Sequence, residues 1–280
     1  YLYLSFHHIV GDGTTFMIVL DDFIAAYGGN SLPDVPMTIF DVQATEAENR
    51  KSPRYDEAKK WHIDTFGAME SDSMPLPDLL DADKEKRGDI LSTVRQKVYK
   101  LSVDYDKVFA LSRSLGVSMS IVLDGAFGYL AGIWNAADES AFCTIFAGRN
   151  TAEEKRVAGM MVKTVPVYCH WDADTTVADY LTDLAAQHKK AKAYADTYSF
   201  ADLCADTGFS PRLHFSYRGS IQAENTVIPG FCISGCCLGL QSTGDSLLFM
   251  VDHIGDHLEI KAEYQGADYT PEFIDSMIDA

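Results

Sequence analysis

Apolar positions along the chain recur with two periods, and their alternation predicts the elements. Residues 1–10 read as a strand that enters a tight turn, Gly11-Asp12-Gly13. Phe16, Val19, Leu20, Phe23, Ile24 and Tyr27 then fall three and four apart, one apolar stripe of a helix. Thr14 or Thr15 can cap its start, and Gly28-Gly29 ends it. Pro33 and Pro36 mark a loop, residues 55–66 a second helix, and the polar, acidic stretch 69–86 a long surface connection. Residues 90–101 read as a strand, and a helix over 103–115 is closed by Gly116. Ser118 caps a strongly apolar helix, 119–134, which carries Asp124 and three glycines. That helix is short for a bilayer, so burial in a protein core is expected.

Residues 141–146 form a strand that runs into the loop Ala147-Gly148-Arg149-Asn150, and 162–171 form another. Thr176-x-x-Asp179 is a capping box, and Val177, Tyr180, Leu181, Leu184, His188 and Ala191 stripe the helix it opens. Lys189, Lys190 and Lys192 sit in its last turns, where the macrodipole favours cations and a solvated helix end accounts for them. The last third is strand-rich, over 213–217, 246–252 and 258–264, with a hairpin turn at His253-Ile254-Gly255-Asp256 and a terminal helix over 271–280. Strands alternating with helices, then a late run of strands, predict an α/β fold of the mixed or α+β sandwich kind.

Composition narrows the classes. The 280 residues are 47% hydrophobic and 23% charged, which excludes a disordered, collagen-like or low-complexity protein. The 41 acidic residues against 23 basic give a formal charge of −18, and no long Lys/Arg cluster offsets it, so neither nucleic acid nor an anionic membrane is expected as a partner. Six cysteines (Cys143, Cys169, Cys204, Cys232, Cys236 and Cys237) are too sparse for a disulfide scaffold, and a reduced, cytoplasmic protein is expected. Cys232, Cys236 and Cys237 cluster without completing a zinc pattern, so no metal is expected. The chain opens on Tyr1 in mid-strand, which leads to the expectation that it begins inside a domain.

The densest chemistry is His7-His8-Ile9-Val10-Gly11-Asp12-Gly13. On a strand the two imidazoles point to opposite faces, which disfavours one metal shared between them. It suits one facing a cleft while the other packs or orients the turn. Asp12 can fold back toward the strand end or pair with a distant cation. An imidazole titrating near neutrality is a natural base for an amine, hydroxyl or thiol. His62, His170, His188, His214, His253 and His257 form no comparable pattern and read as structural or surface. Phe215 and Tyr217 read as sheet core.

HHIVGDG resembles the HHxxxDG motif of the condensation domains of nonribosomal peptide synthetases, a motif shared with chloramphenicol acetyltransferase and wax ester synthase. Gly148-Arg149-Asn150 followed by residues 159–167 (GMMVKTVPV) resembles the family's GR…GxFVNTxPxR block. Residues 198–203 (YSFADL) resemble YPFExL, and 210–217 (SPRLHFSY) resemble SRxxLFxxxFxY. Four blocks in order are far more specific than one, and the DFGWG block of the single-chain plant acyltransferases is absent. The resemblance implies a chloramphenicol-acetyltransferase-like lobe with a mixed sheet flanked by helices. Residues 1–30 would be the motif strand and helix that end an N-terminal lobe, and 31–280 the C-terminal lobe, with most of the N-terminal lobe missing.

The reaction implied is amide formation: the amine of an acceptor aminoacyl group attacks a donor thioester. Each would be delivered on the 4'-phosphopantetheine of a carrier protein, beside adjacent synthetase domains, with no cofactor bound by this chain. By motif position His8 would be the catalytic residue, His7 supporting, Asp12 structural and paired with Arg149, and Gly13 would let backbone pass close to the site. Three positions depart from the pattern: Lys163 where Asn is usual, Thr14 where Trp is common, and Ser199 for Pro. They leave an epimerisation domain, a silent partner-recruiting relative or a stand-alone acyltransferase as alternatives. Carrier proteins of this type tend to be acidic, so docking on a −18 chain would rest on local basic and apolar patches.

Overall fold

Capping side chains decide where the helices start. In this computed structural model, which describes residues 6–67, 69, 73–78, 94–220 and 246–280, Asp12 is the N-cap of α1, Gly13–Tyr27. Its carboxylate accepts from the Thr15 amide at 3.0 Å, so neither Thr14 nor Thr15 takes the capping place the sequence offered them. The chain before it is not a strand where it is described. His7 Nδ1 accepts from the Ile9 amide at 3.1 Å, and His8–Val10 close into a 3-10 turn. That local hydrogen bond folds the backbone where a strand would have continued. Residues 1–5 lie outside the described residues.

A helix the pattern missed follows: α2, Ile39–Asn49, opened by a reciprocal Thr38/Asp41 capping box. None of its residues is buried, so it leaves no apolar stripe to read. Pro53 begins α3, Pro53–Phe66. After β1, Val94–Lys100, and α4, Tyr105–Leu115, Gly116 takes the left-handed conformation (φ 67°) and Ser118 opens α5, Met119–Trp134. Then come β2, Glu139–Phe146, β3, Lys163–His170, and α6, Val177–Tyr194. A second unforeseen helix, α7, Phe200–Thr207, is capped reciprocally by Ser199 and Asp202. The chain closes with β4, Leu213–Ser220, β5, Leu247–Ile254, β6, His257–Gln265, and α8, Pro271–Asp279. Gly255 (φ 59°) makes the turn of the β5–β6 hairpin tight. The start of the strand expected over 90–101, residues 90–93, much of the 69–86 connection, and Cys232, Cys236 and Cys237 lie outside the described residues.

Among the described residues the strands form one mixed sheet, in the order β1-β6-β5-β4-β2-β3. β4 runs parallel to β5 and to β2, and the remaining pairs are antiparallel. Helix α5 lies on one face, where the Phe127 ring stacks on Phe215 at 4.4 Å and meets Phe142 and Phe249. A Cβ on Gly128 would stand 2.3 Å from Cys169 Sγ, so the missing side chain is what lets this helix settle onto β3. Tyr168 alternates with Val167 and faces the other side, where α3 and α7 bury Phe66, Tyr198 and Leu203. Phe215 and Tyr217 join the main core, as expected.

Two of the buried ionisable groups, Asp124 and His188, face each other beside the apolar core. Asp124 Oδ2 of α5 lies 3.8 Å from His188 Nε2 of α6, with Thr144 of β2, Cys169 of β3, and Tyr180 and Lys192 of α6 among the polar groups near them. Burial pushes the Asp124 carboxyl well above its usual range, against the pull of Lys192 and a Thr144 hydrogen bond. Burial, helped by Lys192, pushes the His188 imidazole down to about 4. The two have opposite linkage signs. A raised Asp stabilises the fold in acid and loses that contribution as pH rises past 3.8. A lowered His contributes above 6.5 and loses it as pH falls toward 4. Asp124→Asn should therefore stabilise the protein at pH 8 by on the order of 1 kcal/mol, read as a higher urea midpoint, with the gain shrinking toward pH 4. Urea titrations at several pH values check this; a gain that grows in acid would contradict it.

Candidate active site

Helix starts attract carboxylates, and this one attracts an arginine to the carboxylate as well. Gly148, in the loop after β2, has φ +68°, and a Cβ there would stand 2.0 Å from the Met161 carbonyl. Only glycine fits that left-handed, crowded position. It turns the loop so that Arg149 reaches under α1. Arg149 Nη1 donates to Asp12 Oδ2 at 2.8 Å and Nη2 to Oδ1 at 3.0 Å, a bidentate pair. The Met161 amide donates to Oδ2 at 3.0 Å, and Arg149 Nη2 donates also to the Val157 and Gly159 carbonyls. The two side chains are 3% and 1% exposed.

Burial works against the Asp12 carboxylate, but Arg149 and the Met161 and Thr15 amides outweigh it and hold its pKa below the usual range. The pair is therefore intact above pH 3.8 and opens only as pH falls through the lowered value. A second tie, Arg156 to Asp22 at 2.8 Å, joins the same loop to α1. These polar ties matter because α1 buries little: Thr15, Ile18 and Leu20 are its buried residues. Part of the stripe expected to face a core is at the surface, with Val19 40%, Phe23 36% and Tyr27 67% exposed.

The turn that α1 carries presents both histidines to solvent. His7 uses Nδ1 within the turn. The His8 imidazole is exposed and has no hydrogen-bond partner among the described residues. Among the described residues, nothing beyond its own helix and chain neighbours lies within 4 Å of where a Gly13 Cβ would be; a close approach is made at Gly11, whose Cβ would meet Thr15 Cγ2 at 2.6 Å.

Lys163 donates to Glu46 at 2.7 Å and, with Gly148 and Asn150, lines a pocket of about 140 Å³ beside the pair. An adjoining pocket of about 360 Å³ is lined by Arg54, Phe146, Asn150, Lys189 and Lys192. The block at 198–203 is an anchoring element: Asp202 is held far below its usual range by a bidentate bond from Arg50, and Leu203 is fully buried. Ser199, the departure from proline, serves as the helix cap. Sequence reasoning missed Thr15, Asp22, Glu46, Arg156 and the 157–161 backbone. Only Asp12 and Thr15, spaced as cap and third helical position, left a readable signal. Among the described residues no cluster of three or more His, Cys, Asp or Glu side chains converges, and no single helix is long and apolar enough to cross a membrane.

A mixed sheet flanked by helices, with a His-His turn pinned by a buried Asp–Arg pair, is the chloramphenicol-acetyltransferase-like arrangement that the motif resemblance implies. The family model described as "Condensation domain" matches residues 1–280, and the chain belongs to that family. It is 23% identical over 203 residues to bacitracin synthase 1 of Bacillus licheniformis, covering 72% of this chain and 4% of that protein. The first condensation domain of the calcium-dependent antibiotic synthetase, solved with a substrate analogue, superposes with a TM-score of 0.69 at 14% identity, covering 98% of this chain and 60% of that one. The epimerization domain from the third module of tyrocidine synthetase B gives 0.72 at 18% identity, covering 98% and 65%. The chain thus spans under a tenth of that curated relative and under two thirds of these solved domains.

Arg149→Met leaves Asp12 buried without its cation. The substitution should destabilise the protein by about 3–5 kcal/mol, read as a lower urea midpoint at pH 7. An unchanged midpoint would show that the pair holds nothing in place.

Proposed function

We propose that this chain carries out peptide-bond-forming acyl transfer between carrier-protein-bound thioesters, as part of a nonribosomal peptide synthetase in the cytoplasm. The observation that carries the reading is His8, exposed on a turn whose far end is fixed by the buried Asp12–Arg149 pair. The acceptor amine attacks the donor thioester carbonyl. A C–N bond forms and the C–S bond breaks, while His8 takes the ammonium proton and passes it to the departing thiolate, which leaves as the thiol. The thioester is already activated, so holding two tethered reactants together supplies much of the rate. His7 shapes the turn, Asp12 and Arg149 hold it, and Gly13 leaves room at the helix start.

The substrates arrive on the 4'-phosphopantetheine arms of donor and acceptor carrier proteins, and this chain supplies no cofactor of its own. Residues 1–30 complete an N-terminal lobe and 31–280 form the C-terminal lobe. The exposed α1 side chains and the exposed Ile9 (74%) and Val10 (60%) support this, since a facing lobe would cover them. Epimerisation by the same histidine is the competing reading, favoured by the shared fold with the tyrocidine synthetase B domain.

The test is turnover of the full-length protein containing this chain, with loaded donor and acceptor carriers and chiral analysis of the product. Amide should form, and His8→Ala should lower the rate by about 100-fold or more. Equal rates would remove His8 from the chemistry. An inverted α-carbon without a new amide would favour epimerisation.

A further inference from the structure

We propose that Thr15 is a positioning residue for His8, acting through its hydroxyl; the proposal rests on the reading of His8 given above. Thr15 stands on the first turn of α1 and is 6% exposed. Its Oγ1 accepts the Gly159 amide at 2.9 Å and lies 2.8 Å from the Gly159 carbonyl and 3.1 Å from Asp12 Oδ1. The single hydroxyl proton serves either acceptor, while the amide bond is kept in both cases. Arg149 Nη2 is a further 3.4 Å neighbour. One hydroxyl therefore binds both polar backbone atoms of Gly159 and touches both members of the buried ion pair.

The same side chain governs the turn on its other side. Gly11 passes so close that an added Cβ would lie 2.6 Å from Thr15 Cγ2, 2.9 Å from Cβ and 3.2 Å from Oγ1. Gly11 closes the 3-10 turn, donating its amide to the His8 carbonyl at 3.3 Å. A shift of Thr15 away from Gly159 is thereby a shift of Gly11 and of the turn that presents His8. Asp12–Arg149 fixes the direction of the helix start, and Thr15 sets its height over the 157–161 loop. Gly159 in turn lies under α2, its Cβ position 2.7 Å from Ile39 Cγ1, so the loop has no slack to follow.

Isosteric replacement separates the hydroxyl from the shape. Thr15→Val keeps the methyl contacts and deletes the hydroxyl, while Thr15→Ser keeps the hydroxyl and the Cβ beside Gly11. In the full-length protein with loaded carriers, Thr15→Val should lower kcat by about 10- to 100-fold, the scale expected for a reacting group displaced by under an ångström or so. The KM for the donor-loaded carrier should stay within about twofold, and Thr15→Ser should recover kcat to within about threefold. A purely structural threonine would instead change the urea midpoint and leave kcat of the folded fraction intact. If Thr15→Val does not fold, Thr15→Ala carries the same comparison against Thr15→Ser. Wild-type kcat in Thr15→Val, or equal losses in Val and Ser, overturns the proposal. His8→Ala is run alongside: if it matches wild type, the reading of His8 has failed. If it is slow while Thr15→Val is normal, only the role of Thr15 has failed.

Discussion

The buried pair between Asp12 and Arg149 is the constraint on which the arrangement around the His-His turn depends. Two charges are removed from water with side chains 3% and 1% exposed, a placement whose desolvation cost must be offset by close pairing and further hydrogen bonds. Here Asp12 answers two guanidinium nitrogens and two backbone amides with its two oxygens. Such a pair contributes little net stability compared with well-packed apolar groups of the same size. What it contributes is direction, because α1 lacks the apolar burial that would otherwise orient it.

That exchange of apolar contact for polar ties follows from where the helix sits. Core helix α5 is positioned by ring stacking and by glycines that let it pack closely on its neighbours. Helix α1 rests on the loop between β2 and β3, a segment held by Gly148, Arg149 and Arg156 together with the buried side chains of Val157 and Met161. The loop grows from the sheet, so the sheet sets the place of the turn through a short chain of hydrogen bonds. Lys163, at the first position of β3, extends the same logic by gripping Glu46 of α2. Its charge is satisfied within the protein, and the departure from the family's asparagine is therefore a change in how α2 is held beside the pocket.

The regular elements were legible where burial imposes a period. Helix α5, helix α6 and the late hairpin follow the apolar pattern closely, because one face of each is packed. Helix α2 was illegible for the converse reason: with no buried residue, it is held by a capping box and carries no stripe. The turn before α1 read as a strand because apolar residues precede it, yet Ile9 and Val10 are exposed and a His7 side-chain bond curls the backbone. At the site, Asp12 and Arg149 were legible through the motif blocks, while Asp22, Glu46 and Arg156 were not. The backbone partners were not, since Val157, Gly159 and Met161 act through carbonyls and amides that every residue type carries. Thr15 looked like a cap and is a clamp, a distinction that depends on what lies 144 residues further along the chain.

If Asp12 and Arg149 act as one unit that fixes the turn, their effects on turnover cannot be independent. A double-mutant cycle in the full-length protein, with Asp12→Asn, Arg149→Met and the two combined, measures that directly. The double variant should be about as slow as the slower single variant, with the second substitution adding under about threefold. Rate losses that multiply across the two substitutions would contradict the account, because they would mean that each residue serves the reaction by a separate route.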